Sequence, residues 1–251
     1  MTIDKVYIIT IDQSADNYNS ILKRLNALSL PNHTTYHIID GVNGREELST
    51  DELRDSHGVS FYKDWVANSE SNGNSFYNRN VTVGEAGGMC SHIRVWEDAY
   101  KNGHETILIL EDDFEPITEF PWESFDELQD YDWDLAFLSR TLVPNMDGVS
   151  DSNVGLANWV SPGYSYNTHS YVITREGLRK IIEYNLDTLK NNIIVSDEFL
   201  PSTYTYHPRQ DMRTMFKRNM NAIAHKVSLV GQTRFESAGN SLTEPIEGID
   251  Y

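Results

Sequence analysis

The stretch VYIITID, Val6 to Asp12, is a β-branched apolar run that ends on a carboxylate, and its reading decides the fold. A run without polar alternation belongs to a strand covered on both faces. Ser14 follows as a helix cap, Ile21, Leu22, Leu25 and Leu28 recur at helical spacing, and Pro31 lies just beyond the expected stop. Tyr36 to Ile39 gives a second strand, closed by Asp40 and Gly41. Strand, helix, strand in that order opens a parallel sheet, so an α/β fold with a mostly parallel sheet flanked by helices is expected.

Farther along, Glu46 to Arg54 reads as a short surface helix and Ser56 to Asn80 as a long polar and aromatic loop over one sheet edge. A stronger helix starts at Gly84, with Met89, Ile93, Trp96 and Tyr100 on its buried face and Asn102-Gly103 as its stop. Ile107 to Leu110, Asp134 to Leu138, Gly155 to Val160, Ser170 to Ile173 and Ala222 to Val230 read as strands, and Arg175 to Tyr184 as a helix. No repeat or boundary interrupts the 251 residues, so one domain is expected, with 233–251 as a C-terminal tail.

Composition excludes several partners. A net charge of −18, from 38 acidic against 20 basic residues, repels nucleic acid and anionic membrane surfaces. A small phosphorylated ligand would need a metal ion to hold it. The single cysteine, Cys90, rules out an intramolecular disulfide. The only apolar run near the start, VYIITI, is too short for a signal or a membrane span, so a soluble, cytoplasmic chain is expected.

Chemistry concentrates at ILILEDDFEP, Ile107 to Pro116. Ligands of open α/β sheets bind beyond the carboxyl ends of strands, which is where Glu111, Asp112 and Asp113 fall. The acids of DYDWD, Asp130 to Asp134, precede their strand and sit at its amino end. Adjacent carboxylates repel unless a cation neutralises them, so the cluster is either a solvated turn or a site for Mg²⁺ or Mn²⁺. His225, on the late strand, could complete such a site, in competition with His169 and His207. VGEAGGMCSH puts small residues at a helix start, suited either to close ligand approach or to plain packing. Asp197-Glu198 offers a general base or merely a helix-start carboxylate. YSYNTHSY, Tyr164 to Tyr171, could stack on a sugar or form a sheet surface. The loop 56–80 and Tyr204 to His207 are candidates for acceptor contact.

The ordered set VYIITID, HIIDGVNG, GEAGGMCSHIRVWEDA, ILILEDDF, HSYVITREGLRKII and VSDEFL resembles glycosyltransferase family 25, over most of the chain from Val6 to about Gln232. The resemblance implies a GT-A fold and metal-dependent, inverting transfer of a hexose from a nucleotide sugar, most often UDP-galactose. The acceptor would be a hydroxyl of a glycan, a lipopolysaccharide or a protein. By position it implies metal contact at Asp113 first, with Glu111 beside it, and Mn²⁺ or Mg²⁺ as cofactor. It implies donor contacts from Thr10, Asp12, Asp40, Gly84, Glu85, Ser91, His92, Glu111 and Asp112, and an acceptor base at Asp197 or Glu198. The chain departs from the family in carrying Ile11-Asp12-Gln13 where an arginine is usual, with Lys23, Arg24 or Arg94 as substitutes, and Gly88 where a bulkier residue is common. A metal-dependent phosphohydrolase and an inactive sugar-binding homologue are the alternatives.

Overall fold

The computed structural model describes residues 2–66, 80–117, 119–143 and 150–233. At its centre β1 (Lys5–Thr10) pairs in parallel with β2 (Thr35–Asp40) on one side and β3 (Thr106–Glu111) on the other. The remaining strands are β5 (Leu135–Phe137), β7 (Ser152–Asn153), β8 (Trp159–Ser161), β10 (Ser170–Thr174) and β11 (Ala222–His225). Together they form one eight-stranded sheet of order β2-β1-β3-β10-β5-β11-β8-β7. Only β10 and β8 run against the others, which gives the mixed, mostly parallel α/β sheet that the sequence led us to expect.

Alternation along the strands divides the core in two. Tyr7, Ile9, Ile107 and Ile109 face Met89, Ile93 and Trp96 of α4 (Val83–Asn102) and Phe199 of α7 (Ser196–Tyr204). Val6, Ile8, Leu108 and Leu110 face Ile21 and Leu25 of α1 (Ala15–Ala27), together with Phe125 and Trp159. Both faces of β1 and β3 are therefore dry, which is why their sequences lack polar alternation. Burying these strands leaves their carboxyl ends as the place where polar groups can gather.

Local signals set most boundaries. Ser14 caps α1 by accepting from Asn17 N, and Gly103, at φ 74°, ends α4 in the left-handed conformation. The single helix expected over Glu46 to Arg54 is instead two, α2 (Gly44–Glu47) and α3 (Asp51–Ser56), because Asn43 and Thr50 each start a new cap. The late strand also divides. β11 stays in the large sheet, while β12 (Val230–Gln232) turns away to pair with β4 (Phe114–Pro116) directly after the acidic turn. Of the expected 56–80 loop, Phe61 bridges to Ile193 and Lys63–Val66 forms a 3₁₀ turn, while 67–79 lies outside the described residues, as does the tail from 234. Among the described residues no helix is long and apolar enough to cross a membrane.

Candidate active site

β3 delivers the chain to Glu111 and β4 resumes at Phe114, so Asp112 and Asp113 form the connection between them. Asp112 turns inward and is 7% exposed. Its Oδ2 accepts the Thr10 hydroxyl at 2.6 Å and lies 3.4 Å from the Asn17 amide nitrogen. Arg24 donates to the Asp112 carbonyl and lies over the Phe114 ring, 5.4 Å from its centroid. Thr10 and Asp112 thus tie the ends of β1 and β3 together.

Asp113 has poorer company. The Gln232 amide reaches its Oδ2 only at 3.4 Å, and its Oδ1 is buried with no hydrogen-bond partner. Burial first, then the charges of Glu111 and Asp112, raise its pKa above the usual carboxylate value. A buried acceptor in a field of like charge is the environment a divalent cation relieves. Among the described residues no three His, Cys, Asp or Glu side chains converge into a ready-made metal cage. That still fits Mg²⁺ or Mn²⁺, since Mg²⁺ commonly takes one or two carboxylates from the protein and the rest from water and phosphate.

Glu111 is aimed by a relay. Trp96 Nε1–H donates to the Tyr171 hydroxyl at 2.9 Å, and that oxygen lies 2.9 Å from His92 Nδ1. Burial raises the Tyr171 pKa well above its ordinary value, so the phenol keeps its proton and donates a hydrogen bond to Nδ1. The His92 Nε2–H is left facing Glu111 Oε1 at 3.3 Å. His92 itself is 1% exposed.

The two acids opening α7 have diverged. Asp197 is partly exposed and accepts the Thr168 hydroxyl at 2.9 Å. Burial, followed by the charge of Glu111, pushes its pKa up to about 6, so Asp197 lies within electrostatic reach of the acidic turn. Glu198 is 0% exposed, with Oε2 held by the Tyr164 hydroxyl at 2.7 Å and His207 Nε2 at 2.6 Å. The Arg209 N–H donates to His207 Nδ1 at 3.1 Å, leaving Nε2–H to face the carboxylate. Glu198 Oε1 is buried without a partner, but no face of this residue reaches the surface, so of the two acids it is Asp197 that has access to an incoming hydroxyl.

At the end of β2, Gln13 donates to Asp40 Oδ1 at 3.1 Å, and Arg94 donates to the Asp40 carbonyl at 2.5 Å. Asp12 accepts from the Ser14 N–H at 2.9 Å, while its own N–H donates to the Thr10 hydroxyl. Of the three cations considered for the missing arginine, Arg24 is committed to Asp112, Lys23 is exposed, and Arg94 stands at Asp40.

The helix-start motif is mostly architecture. Thr82 and Glu85 form a reciprocal capping box, and Gly84 follows the cap in the first turn of α4. Ser91 accepts the Val42 N–H and donates to the Gly87 carbonyl. Gly87 lies against α2, where an added Cβ would stand 2.7 Å from Gly44 N. From this motif only His92 reaches the acids.

His225 must be corrected. It stands edge-on to Trp159, its Nδ1–H donates to the Val227 carbonyl at 2.9 Å, and Glu127 and Lys226 are the charges it feels. β10 and β5 separate its strand from β3, roughly 14 Å at the usual strand spacing. The aromatic run Tyr164 to Tyr171 proves to be a source of polar supports: Tyr164 for Glu198, Thr168 for Asp197 and Tyr171 for His92. Asn17 and Thr168 carried no motif signal, because a short polar side chain acquires its role only from the partner that folding brings to it.

The sequence profile of glycosyltransferase family 25 (LPS biosynthesis protein) matches residues 3–142. A glycosyltransferase 25 family member of Aedes aegypti is 29% identical over 89% of this chain and 34% of its own length. A probable inactive glycosyltransferase 25 family member 3 of Bos taurus is 27% identical over 96% and 38%. Procollagen galactosyltransferase 1-B of Xenopus laevis is 28% identical over 94% and 37%. The chain therefore spans about a third of the length of the curated relatives it matches. With the profile covering more than half of its residues, the chain belongs to glycosyltransferase family 25.

Proposed function

We propose that this chain is a metal-dependent, inverting hexosyltransferase that moves galactose from a UDP-sugar to a hydroxyl of a glycan, lipid-linked or protein acceptor, all within one domain. The observation that carries the reading is a strand-end acidic turn, holding the buried and unpartnered Asp113 Oδ1, whose Glu111 bears on Asp197, an acid of raised pKa. Asp113, with Glu111 beside it, would hold Mn²⁺ or Mg²⁺, which when bound supplies Lewis-acid stabilisation of the departing diphosphate. Asp197, mostly ionised above pH 6, takes the proton of the acceptor hydroxyl as its oxygen bonds to the anomeric carbon. The opposite anomeric C–O bond breaks, and its electron pair leaves with the nucleoside diphosphate. Thr168 holds the Asp197 carboxylate in place, and His92 does the same for Glu111.

Asp40, with Gln13 and Arg94 against it, is assigned to the nucleoside end of the donor. That corner also favours a second reading, a chain that binds sugars without turnover, because Gln13 stands where an arginine is usual and one relative is named probable inactive. Calorimetric titration with UDP- and GDP-sugars, with and without Mn²⁺, tests both. Mn²⁺-dependent UDP-galactose binding with release of UDP to an acceptor is expected. Binding without turnover on any hydroxyl acceptor supports the second reading, and absence of nucleotide-sugar binding overturns the first.

A further inference from the structure

We infer that His169, through Nδ1, joins Asp113 in holding the metal ion. The inference rests on the metal-assisted reading above. It starts from two buried acceptors that the fold leaves open on adjoining segments, Asp113 Oδ1 and His169 Nδ1. His169 is 3% exposed, immediately precedes β10, and accepts the Glu111 N–H on its carbonyl at 2.9 Å. Its Nε2 lies 3.1 Å from the Val230 carbonyl, and a carbonyl can only accept. The proton therefore sits on Nε2, and Nδ1 presents a lone pair.

β12 fixes both side chains. Val230 holds the far nitrogen of His169, Gln232 holds the far oxygen of Asp113, and the Thr233 N–H binds the Asp113 carbonyl. Each group is anchored by one atom and presents the other, the usual arrangement of an oriented metal ligand. His169 is also near enough to bear on the Asp113 carboxyl. Two unpaired lone pairs cannot satisfy each other, and a cation answers both. An imidazole donor beside a carboxylate suits Mn²⁺ better than Mg²⁺, which prefers oxygen ligands throughout. His169 thereby takes the role considered for His225.

The test is pulsed EPR of Mn²⁺ added to the full chain with inorganic pyrophosphate, so that no nucleobase nitrogen is present. Directly coupled ¹⁴N is expected in the unmodified protein and in H225Q, with loss of that coupling in H169Q. H169Q keeps a donor for the Val230 carbonyl but removes the Nδ1 lone pair, so Mn²⁺ affinity should fall on the order of 10-fold or more, with a smaller fall for Mg²⁺. If H169Q does not fold, H169N serves in its place. Coupling that persists in the His169 variant, or that is absent from a protein binding Mn²⁺ through Asp113, overturns the inference and leaves the metal reading standing. Failure of the unmodified protein to bind Mn²⁺ overturns both.

Discussion

Asp112 and Asp113 leave the same strand one after the other, yet they meet opposite surroundings. The flank toward β1 and α1 supplies Asp112 with Thr10, Asn17 and an arginine on its carbonyl. The flank toward β10 and β12 gives Asp113 one long contact from Gln232 and leaves Oδ1 and the neighbouring His169 Nδ1 without partners. Saturation marks a carboxylate whose task ends with holding the fold. A buried deficit is costly unless something else binds there. Within one acidic run, the unsatisfied member is therefore the better candidate for chemistry.

The largest effects should separate these neighbours. D113N should lower metal-dependent transfer on the order of 100-fold or more, because the metal's stabilisation of the leaving group is worth several kcal/mol. Its thermal midpoint should hold or rise, since a charge that burial disfavours has been removed. D112A should do the reverse in stability, costing about 1–3 kcal/mol by taking from the buried Thr10 hydroxyl its 2.6 Å acceptor. Denaturant melts and initial rates on both variants check the contrast. Equal losses of stability in the two would break it.

Asp197 and Glu198 on α7 differ in access instead, since Glu198 is wholly buried with an unpartnered Oε1 of its own while Asp197 is partly exposed, and Asp197 connects the site to pH. The folded pKa of Asp197 is about 6 against an ordinary 3.8, so its contribution to stability is full below about 3.8 and is lost as pH rises through about 6. Catalysis runs the other way, because a base must be ionised. The kcat/KM profile should climb to a plateau with a limb near pH 6, and D197N should abolish that limb together with most of the rate. E198Q should retain the limb while losing about 1–3 kcal/mol of stability, because its oxygen can still accept from Tyr164 and His207 but its amide N–H groups take the buried place of Oε1, where no partner stands. A limb that disappears with E198Q instead would reverse the assignment of the pair.

Much of the scaffold was legible because it rests on local signals. β-branched runs marked β1 and β3, Ser14 and Gly103 marked helix ends, and the position of EDD at a strand's carboxyl end chose it over DYDWD. The same reasoning had Asp134 at the amino end of its strand, where it pairs with Lys180 at 2.7 Å. What sequence could not supply was partnership across the fold. Nothing in HKVSLV shows that the chain turns after His225 and enters a second sheet, so its lone histidine looked as suitable for metal as His169. Nothing in SDEF tells the reachable acid from the sealed one, because Tyr164 and His207 arrive from elsewhere.

The smallest effects test whether the contrast between filled and open positions extends to the helix-start motif. At Gly87 an added Cβ would stand 2.6 Å from the Val42 carbonyl oxygen and 2.7 Å from Gly44 N, both backbone atoms that cannot swing aside. G87A should therefore force α2 and α4 apart at a cost of about 1–3 kcal/mol. At Gly88 nothing lies within 4 Å of the added Cβ, which agrees with the bulkier residue usual in the family. G88A, in the interior of α4, should gain about 0.5–1 kcal/mol through the restricted unfolded chain. Donor affinity then decides what the space is for. Unchanged binding of UDP-galactose in the stabilised G88A leaves Gly88 a solvent-facing position, whereas weaker binding with a higher melting point would put the donor against that turn of α4.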